Sequence, residues 1–250
     1  MKIIDAVWEK RNLGVSCYEL QMRFSDCAEE VAAALDSLDE RQYMVVKVPS
    51  QRVDLMRLCQ IRGYSFIETA IALEFNYKQL GYKVPNMTRS LQKICDKCSW
   101  GLMDQAELAQ LSDEIMKNIF RTDRIFVDPE FTPAQAAQRY DLWVKDLIRN
   151  GNIPYKVCFE GEIIGFFVGK NISAKVNNSI LGGLYTKYAD SGMGCCMDYA
   201  HFMAMLEQGV EKSITQVSGS NPAVLKLHTA FGAEIKGLEY VFVKHNVCTE

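Results

Sequence analysis

This sequence lacks the features that mark membrane, fibrous or nucleic-acid-binding proteins. It has only 6 prolines and 16 glycines among 250 residues, and its apolar residues never run together for the roughly 18 positions of a membrane helix. Neither charge dominates, since 28 Lys and Arg face 31 Asp and Glu, so nucleic acid would meet no strong positive field. The first residues lack the apolar core of a signal peptide. We therefore predict a cytoplasmic protein that binds neither nucleic acid nor membranes.

The cysteines support neither a disulfide framework nor a metal site. Their number, 9, is odd in a chain without a secretion signal, which favours reduced thiols. Cys95 and Cys98 have the spacing of half a zinc site, but tetrahedral zinc needs a second pair of ligands. Cys195 and Cys196 are adjacent, which suits chelation badly. We predict that no metal is bound.

The first hundred residues alternate between strand and helix patterns. A strand-like segment at 14–24 precedes Asp26 and Glu29, which resemble a capping box, and a helix follows. A buried strand is predicted at 43–48, a helix at 52–62 with Val53, Met56 and Cys59 on one face, and a strand at 64–75. Residues 1–100 are therefore predicted to form a β-α-β-α-β module that shapes the acceptor site. Residues 101–130 are interpreted as a linker region with its own helix.

The chain from 131 to 250 has clearer signals for where helices and strands begin and end. Thr132 and Gln135 form a capping box around Pro133, so a helix is predicted up to Gly151. A hairpin around Gly161 and a strand at 179–188 follow, and then a helix at 192–208, a strand at 213–218, a helix at 221–231 and a final strand at 239–245. This order, α-β-β-β-α-β-α-β, predicts an α/β domain with a mixed sheet.

A glycine-containing turn at 189–195 stands between a predicted strand and a predicted helix. Free backbone N–H groups and the positive end of the helix dipole meet there, and Gly192 and Gly194 let a ligand approach the backbone closely. The dinucleotide pattern fails because Met197 replaces its third glycine, and no Lys-Ser/Thr pair follows as in a nucleotide-triphosphate loop. The turn predicts an anion site, with a ligand-free turn as the alternative.

The order of these pieces resembles that of the GCN5-related N-acetyltransferases (GNAT) over roughly residues 125–245. The resembling segments are SILGGLYTKY, ADSGMG, SITQVS and NPAVLKLHTAFGA, although Ala189 replaces the usual Gln or Arg of the turn. The resemblance implies an α/β GNAT fold, a mixed central sheet flanked by helices, preceded by a smaller N-terminal α/β module. It also implies acetyl-CoA as co-substrate. The cofactor-binding residues that it implies are Leu184, Tyr185 and Thr186 through their main chain, Ser191, Gly192, Met193, Gly194 and Cys195 in the turn, and Asn221.

A narrower resemblance extends over almost the whole chain. The segments WEKRNLGVSCYELQM, RGYSFIETAIALEF and VDPEFTPAQAAQRYDLWV look like the TDP-fucosamine N-acetyltransferase type within that family. That type acetylates the 4-amino group of a nucleotide-linked sugar. The resemblance therefore implies such an amino sugar as the small-molecule acceptor, and the sequence leaves a homodimer open.

Two residues are candidates for the proton transfers of acetylation. His228 occupies the place, counted from Asn221 and Gly232, where the family commonly has a Tyr that acts as general acid. An imidazole with a pKa of about 6.5 is able to donate a proton, and a partly buried packing residue is the alternative. Glu68 lies among apolar β-prone residues, so burial would raise its pKa and make it a base, with a solvated carboxylate as the alternative. Thiol catalysis by Cys195 is rejected because no His-Asp arrangement is legible nearby.

The sequence thus predicts an enzyme that moves an acetyl group directly from acetyl-CoA to a primary amine. Two alternatives stay open at this level. One is a related acetyltransferase that acts on an amino acid, a peptide or another small amine. The other is a non-catalytic protein that binds acyl-CoA, which the departures at Ala189 and His228 would favour.

Overall fold

The computed structural model describes residues 1–38 and 42–246. The strands, numbered in chain order, are β1 (Lys2–Asp5), β2 (Cys17–Gln21), β3 (Tyr43–Pro49), β4 (Ser65–Asn76), β5 (Cys98–Leu102), β6 (Tyr155–Phe159), β7 (Glu162–Ser173), β8 (Val176–Leu184), β9 (Lys212–Ser218) and β10 (Ala233–His245). The helices are α1 (Val7–Asn12), α2 (Ala28–Ser37), α3 (Val53–Ile61), α4 (Arg89–Cys95), α5 (Gln105–Ile115), α6 (Arg124–Val127), α7 (Pro133–Arg149), α8 (Gly194–Glu207) and α9 (Pro222–Ala230).

The described strands form one mixed sheet in the order β1-β2-β3-β10-β4-β9-β8-β7-β6-β5. Helices α8 and α9 cover one face of its C-terminal part, and α2 and α3 cover the same face of its N-terminal part. Helices α5 and α7 pack on the opposite face, where α6 also contacts β4. The predicted α/β architecture, a mixed sheet flanked by helices, is confirmed. Within the described ranges, no helix has both the length and the apolar character needed to cross a bilayer.

Two parts of the sheet repeat the same β-α-β-α-β order and exchange their last strands. The N-terminal half of this arrangement is β2-α2-β3-α3-β4, and the C-terminal half is β8-α8-β9-α9-β10. Strand β4 lies between β9 and β10, whereas β10 lies between β3 and β4. The two halves therefore share one continuous sheet, and the predicted division at residues 100 and 130 separates segments whose strands interleave.

Local signals in the sequence explain several element boundaries. The Thr132 capping box is present, because its side chain accepts from the N–H of Gln135 while Gln135 accepts from the N–H of Thr132. Glu160 and Gly161 have φ values of 51° and 86°, which is the backbone twist of a tight hairpin turn. Gly63, at φ 79°, ends α3 as predicted. From α7 onward the predicted order of elements is confirmed.

Two local predictions in the N-terminal half are wrong. Asp26 does not form a capping box, since α2 begins after Cys27 without a side-chain cap and Asp26 accepts from the N–H of Arg23 at 2.7 Å. On α3 the buried residues are Leu55 and Cys59, while Val53 is exposed. Cys59 fits both helix faces, since it lies three positions after Met56 and four positions after Leu55. The sequence therefore did not distinguish the predicted face from the one that is buried.

Candidate functional site

A cleft opens between two parallel strands of the sheet. Strands β8 and β9 pair only from Val176 and Lys212 to Asn178 and Ile214. Beyond this point the segments 179–184 and 215–218 diverge, although both remain strands. A strand edge that has lost its neighbour offers its backbone N–H and C=O groups to an extended ligand. We refer to the space between these two segments as the cleft.

Leu184, Tyr185 and Thr186 were predicted to bind the ligand through their main chain, and two of their N–H groups already donate hydrogen bonds within the protein. Tyr185 donates its N–H to Ile164 O at 2.8 Å, and Thr186 donates its N–H to the Glu114 carboxylate at 3.0 Å. Because successive backbone groups of a strand point to opposite edges, the N–H of Leu184 points toward the cleft. Of the three predicted contacts, Leu184 has the orientation that an added strand requires.

The glycine turn, residues 189–195, stands where the cleft meets the start of α8. Gly192 adopts φ 79°, and Ser191 Oγ accepts from the N–H of Met193 at 3.3 Å. Met193 precedes α8, and in the described part of the chain no side chain caps this helix start. Among residues 1–38 and 42–246, no acceptor is found for the N–H groups of Gly192, Gly194 and Cys195. An uncapped helix start with unpaired amides fits the phosphates of CoA.

Gly194 has a packing role that the sequence did not show. A Cβ at this position would come 2.6 Å from Cδ1 of Leu227 on α9. The glycine therefore allows α8 and α9 to approach each other at the turn. A bulky residue here would displace Leu227 as well as obstruct a ligand, so Gly194→Val does not test ligand binding alone.

Asn221 begins α9 as predicted, with Pro222 in the first helical position. Its side-chain Oδ1 accepts from the N–H of Val224 at 3.2 Å. This bond satisfies one of the free amides at the helix start. The side chain is thus already engaged in capping, and its amide nitrogen is the group left for a ligand.

His228 lies on the inner side of α9 and pairs with a carboxylate on α8. Its Nδ1 is 2.8 Å from Oδ2 of Asp198, and the two side chains are only 19% and 10% exposed. An ionised carboxylate is an acceptor only, so Nδ1 carries the hydrogen and Nε2 is left as the free proton acceptor. The ring also contacts the edge of Phe75, with centroids 5.4 Å apart. Asp198 was not predicted, although a lone acidic residue in the apolar stretch GCCMDYAHFMAM was a visible signal.

Glu68 lies at the open end of the cleft, on the face of the sheet opposite to the one that α8, α9 and His228 cover. It precedes Ala70, which pairs with Ser218, the last residue of β9. Burial raises the pKa of Glu68, while a hydrogen bond with Ser218 and the charge of Arg124 oppose this shift. The pKa of Glu68 is thus raised, as predicted, and the side chain is half-buried.

The two predicted catalytic residues are not brought together. His228 packs against Phe75, seven positions after Glu68 on β4. At roughly 3.3 Å per strand residue, Glu68 and Phe75 are about 23 Å apart along β4. Glu68 and His228 therefore do not act directly on the same reacting atoms in this arrangement.

The cysteines near the turn are free thiols, and the pKa of Cys195 is raised. The described residues contain no cluster of three or more His, Cys, Asp or Glu side chains arranged to hold a metal. A hydrogen bond with Cys196, together with burial, raises the pKa of Cys195 far above its usual range, so its thiol stays protonated. The eight cysteines that the structure describes are free thiols, and Cys248 lies outside the described residues.

The fold is shared with solved acetyltransferase structures at low sequence identity. No protein-family model and no curated protein sequence matches the chain. A GCN5-related N-acetyltransferase from Sphaerobacter thermophilus superposes with a TM-score of 0.57 at 12% identity, over 81% of this chain and 59% of that protein. A tandem GNAT protein from the clavulanic acid biosynthesis pathway superposes with a TM-score of 0.54 at 11% identity, over 88% of this chain and 70% of that one.

A third similar structure is a GCN5-related glucosamine N-acetyltransferase region of a fungal multi-domain β-N-acetylglucosaminidase. It has a TM-score of 0.60 and 14% identity, over 85% of this chain and 27% of that protein. The chain spans 59% of the length of the Sphaerobacter protein, and less of the fungal one. These similarities show that the chain has the GNAT fold.

Proposed function

We propose that this protein is an N-acetyltransferase that moves an acetyl group from acetyl-CoA to a primary amine. The observation that carries the proposal is the cleft beside the uncapped glycine turn, together with the His228–Asp198 pair on the two helices, α8 and α9, of the C-terminal half. The turn offers N–H groups to phosphates, and the cleft offers a strand edge to the amide-bearing arm of CoA. Acetyl-CoA supplies an acetyl group that is already activated as a thioester.

The His228–Asp198 pair is suited to the proton transfers of this reaction. With Nδ1–H held by Asp198, Nε2 of His228 accepts the proton that the amine loses as its nitrogen bonds to the acetyl carbon. Asp198 stabilises the imidazolium that results, as a carboxylate does in other His-Asp pairs. His228 then returns the same proton to the sulfur of the departing CoA thiolate, so no proton is gained or lost overall.

We propose a nucleotide-linked amino sugar as the acceptor class, with amino acids, peptides and other small amines as the alternatives. Support comes from the sequence resemblance to the sugar-modifying type and from the fold similarity to a protein described as a glucosamine N-acetyltransferase region. Glu68 is proposed to hold a cationic or hydroxyl group of the acceptor on the face opposite to His228.

Thiol release from acetyl-CoA in the presence and absence of a nucleotide-linked 4-amino sugar tests the proposal. We expect amine-dependent release, and we expect His228→Phe to lower kcat by about 10² to 10⁴-fold with little change in acetyl-CoA affinity. Asp198→Asn should lower kcat in the same direction, because the amide favours the wrong tautomer of His228.

The chain contains a matched control in a second His-Asp pair. His245 Nε2 lies 2.9 Å from Oδ2 of Asp128, and its ring stacks on Tyr43, away from the cleft. His245→Phe should therefore leave kcat unchanged. Equal losses in the two histidine variants would contradict a catalytic role for His228. Binding of acetyl-CoA without release for any amine would instead support a non-catalytic acyl-CoA-binding protein.

A further inference from the structure

Three sulfur-bearing side chains meet where the start of α8 packs against β5. Cys98 is the first residue of β5, and Cys196 lies in the first turn of α8. Met193 stands directly before α8, three positions before Cys196, so these two side chains lie on one face of the helix start. We refer to Cys98, Cys196 and Met193 as the sulfur cluster. The sequence did not relate Cys98 to Cys196, because only the packing of α8 on β5 brings them together.

Neighbouring contacts hold β5 against α8 at this place. The rings of Trp100, two residues after Cys98, and Tyr199, three residues after Cys196, meet edge to face with centroids 6.0 Å apart. Nε1 of Trp100 also donates to Oε2 of Glu207, further along α8, at 3.0 Å. Cys98 and Cys196 therefore belong to a packed interface between strand and helix.

Cys196 is at the centre of the sulfur cluster. Its Sγ lies 3.9 Å from Sδ of Met193, and it also hydrogen-bonds to the thiol of Cys98. Cys98 donates its own hydrogen to the backbone O of Ile94 at 3.6 Å, which leaves its sulfur lone pairs for Cys196. A thiol has a single hydrogen, so Cys196 serves only one of its two sulfur neighbours at a time. An ion among the three sulfur atoms would contact all of them.

The spacing of the sulfur atoms fits a bound metal ion. With metal–sulfur bonds of about 2.3 Å, two sulfur ligands of one ion lie about 4 Å apart. The 3.9 Å between Sγ of Cys196 and Sδ of Met193 agrees with this distance. The ion would take the place of the thiol hydrogen and needs no cavity of its own. Cys98 and Met193 are half-buried, so the cluster is open to solvent on their side although Cys196 is buried.

The donor atoms favour a soft ion with few ligands. Thiolate and thioether sulfur bind Cu(I) in preference to hard cations. Structural zinc takes four ligands, and iron–sulfur clusters are held by four cysteines. The described residues hold no group of three or more His, Cys, Asp or Glu placed for such an ion. Two thiols and one thioether therefore fit Cu(I) better than zinc or iron.

The charge of a Cu(I) complex also suits this position. Two thiolates and one Cu(I) together carry one net negative charge, and the first turn of α8 is the positive end of its helix dipole. That turn carries no acidic side chain that would repel the complex. Zinc with four thiolates would instead place two net negative charges beside the apolar core that Cys196 belongs to.

We propose that Cys98, Cys196 and Met193 bind one Cu(I) ion. The two thiols release their hydrogens to solvent as protons when the copper–sulfur bonds form, and Met193 contributes a thioether lone pair. Copper stays Cu(I) throughout, so the step needs no oxidant or reductant. The bound ion would join β5 to the start of α8, next to the glycine turn. This site goes beyond acetyl transfer and does not depend on it.

Competition with a coloured Cu(I) chelator measures the site. The reduced full chain is titrated, without oxygen and without acetyl-CoA, into the Cu(I) complex of bicinchoninate, whose colour fades as copper leaves it. We expect the chain to withdraw one Cu(I), and we expect X-ray absorption of the bound copper to show only sulfur neighbours. Zn(II), offered from a zinc-responsive chelator under the same conditions, should stay with that chelator.

Substitution of each ligand locates the ion. Cys98→Ser changes a half-buried side chain, and we expect the Cu(I) affinity to fall by at least about 100-fold, since even the partners of a metal ligand contribute about 10- to 100-fold. Cys196→Ala removes the buried ligand and should have the same effect. Met193→Leu keeps the apolar bulk and removes only the thioether, so we expect a loss of about tenfold.

Cys158→Ser is the matched control. Cys158 lies on β6 directly opposite Ser99, the residue after Cys98. Because paired residues share a face of the sheet and adjacent residues alternate, the Cys158 thiol points away from α8. This variant also removes a buried thiol, yet it should bind Cu(I) as the parent does.

Three results would overturn the proposal. The first is a chelator that keeps all of its copper in the presence of the chain. The second is equal Cu(I) affinity in Cys98→Ser and Cys158→Ser, which would place the ion at other thiols. The third is zinc bound as tightly as Cu(I), which would mean a site with four ligands. Because these measurements use no acetyl-CoA, none of the results bears on acetyl transfer, and failed acetyl transfer would leave the copper site standing.

Discussion

The two halves of the sheet have the same order of elements but differ at the place where a ligand would enter. In the N-terminal half, β2 pairs with β3 along the whole of β2, from Cys17 and Tyr43 to Gln21 and Lys47, and the N–H of Met22 continues the ladder. In the C-terminal half, β8 and β9 separate after Asn178. The N-terminal half therefore has no free strand edge between its parallel strands, whereas the C-terminal half has a cleft.

The turns that follow the first strand of each half differ in their glycines and in the position of their acidic residues. The N-terminal turn, residues 22–27, contains no glycine and carries Asp26, whose carboxylate accepts from the N–H of Arg23. The C-terminal turn contains Gly192 and Gly194, and its acidic residue, Asp190, precedes both glycines, so the first turn of α8 has no acidic residue. The shared topology alone thus does not make a phosphate site. Strand divergence and an unblocked helix start are both needed.

A buried ion pair joins α1, which precedes the N-terminal half, to α7, which precedes the C-terminal half. Glu9 on α1 is 1% exposed and accepts from Arg139 on α7, with an Nη2 to Oε1 distance of 2.6 Å. Glu9→Ala leaves this guanidinium buried without its partner, so we expect the free energy of unfolding to fall by about 3 to 5 kcal/mol. Urea denaturation measures the change, and acetyl-CoA affinity of the folded fraction should be unaffected.

The matched control joins the same two helices at the surface. Arg11 and Asp146 form an ion pair with side chains 44% and 31% exposed. Arg11→Ala should cost no more than about 1 kcal/mol, because solvent screens the pair. Similar losses for Glu9→Ala and Arg11→Ala would show that burial is not what makes the Glu9 pair important.

A second negative charge, placed closer to the start of α8 than Asp190, should make the C-terminal turn resemble the N-terminal one. Gly192 has open space around its Cβ position and a left-handed backbone that Asn and Asp both tolerate. Gly192→Asp and Gly192→Asn therefore share shape and strain but differ by one negative charge. We expect the Asp variant to bind acetyl-CoA about 10- to 100-fold more weakly than the Asn variant in calorimetry.

The reciprocal change should have no such effect. Asp26→Asn removes the acid from the N-terminal turn, but β2 and β3 stay paired, so we expect no second acetyl-CoA to bind. A stoichiometry of two in that variant would mean that the acid, rather than the closed strands, keeps the N-terminal half empty.

The last comparison concerns two half-buried glutamates with opposite pKa shifts. Burial raises the pKa of Glu68, so its charged form weakens the fold as the pH rises above the usual value of 4.5. Glu68→Gln should therefore be as stable as the parent or slightly more stable at pH 7, and the difference should fade as the pH falls below 4.5. Thermal melting across this pH range measures the difference.

Glu19 provides the opposite sign. Although burial opposes the shift, Arg124 and Lys47 lower the pKa of Glu19 to about 2, so its charge stabilises the fold above 4.5 and this contribution is lost as the pH falls toward 2. Glu19→Gln should be destabilised at pH 7 and approach the parent near pH 2. Parallel pH profiles for Glu68→Gln and Glu19→Gln would contradict both assignments.

The sequence predicts what short-range chemistry determines. Thr132 with Gln135, Gly161 and Asn221 each act within a few residues, and the corresponding capping and turn structures are present. The glycine turn was recognised for the same reason. Its position between a strand and a helix is readable from the residues on either side of it.

Long-range pairing was not readable from the sequence. The exchange of β4 and β10 depends on which edges meet, and the alternation of apolar residues in a strand does not specify its neighbour. Asp198 was missed because its role exists only when α8 packs against α9 and brings it to His228. Glu68 has the expected environment, but its distance from His228 along β4 required the register of the whole strand.

The strand exchange also sets a constraint on how the chain is made. During synthesis β3 and β4 leave the ribosome early, yet the strand that lies between them, β10, follows every other element described. Until then the largely buried edge of β3 has no neighbour on that side, and the nascent chain exposes an aggregation-prone surface. The N-terminal half is consequently translated before the C-terminal half, yet its sheet is completed only with the last strand described.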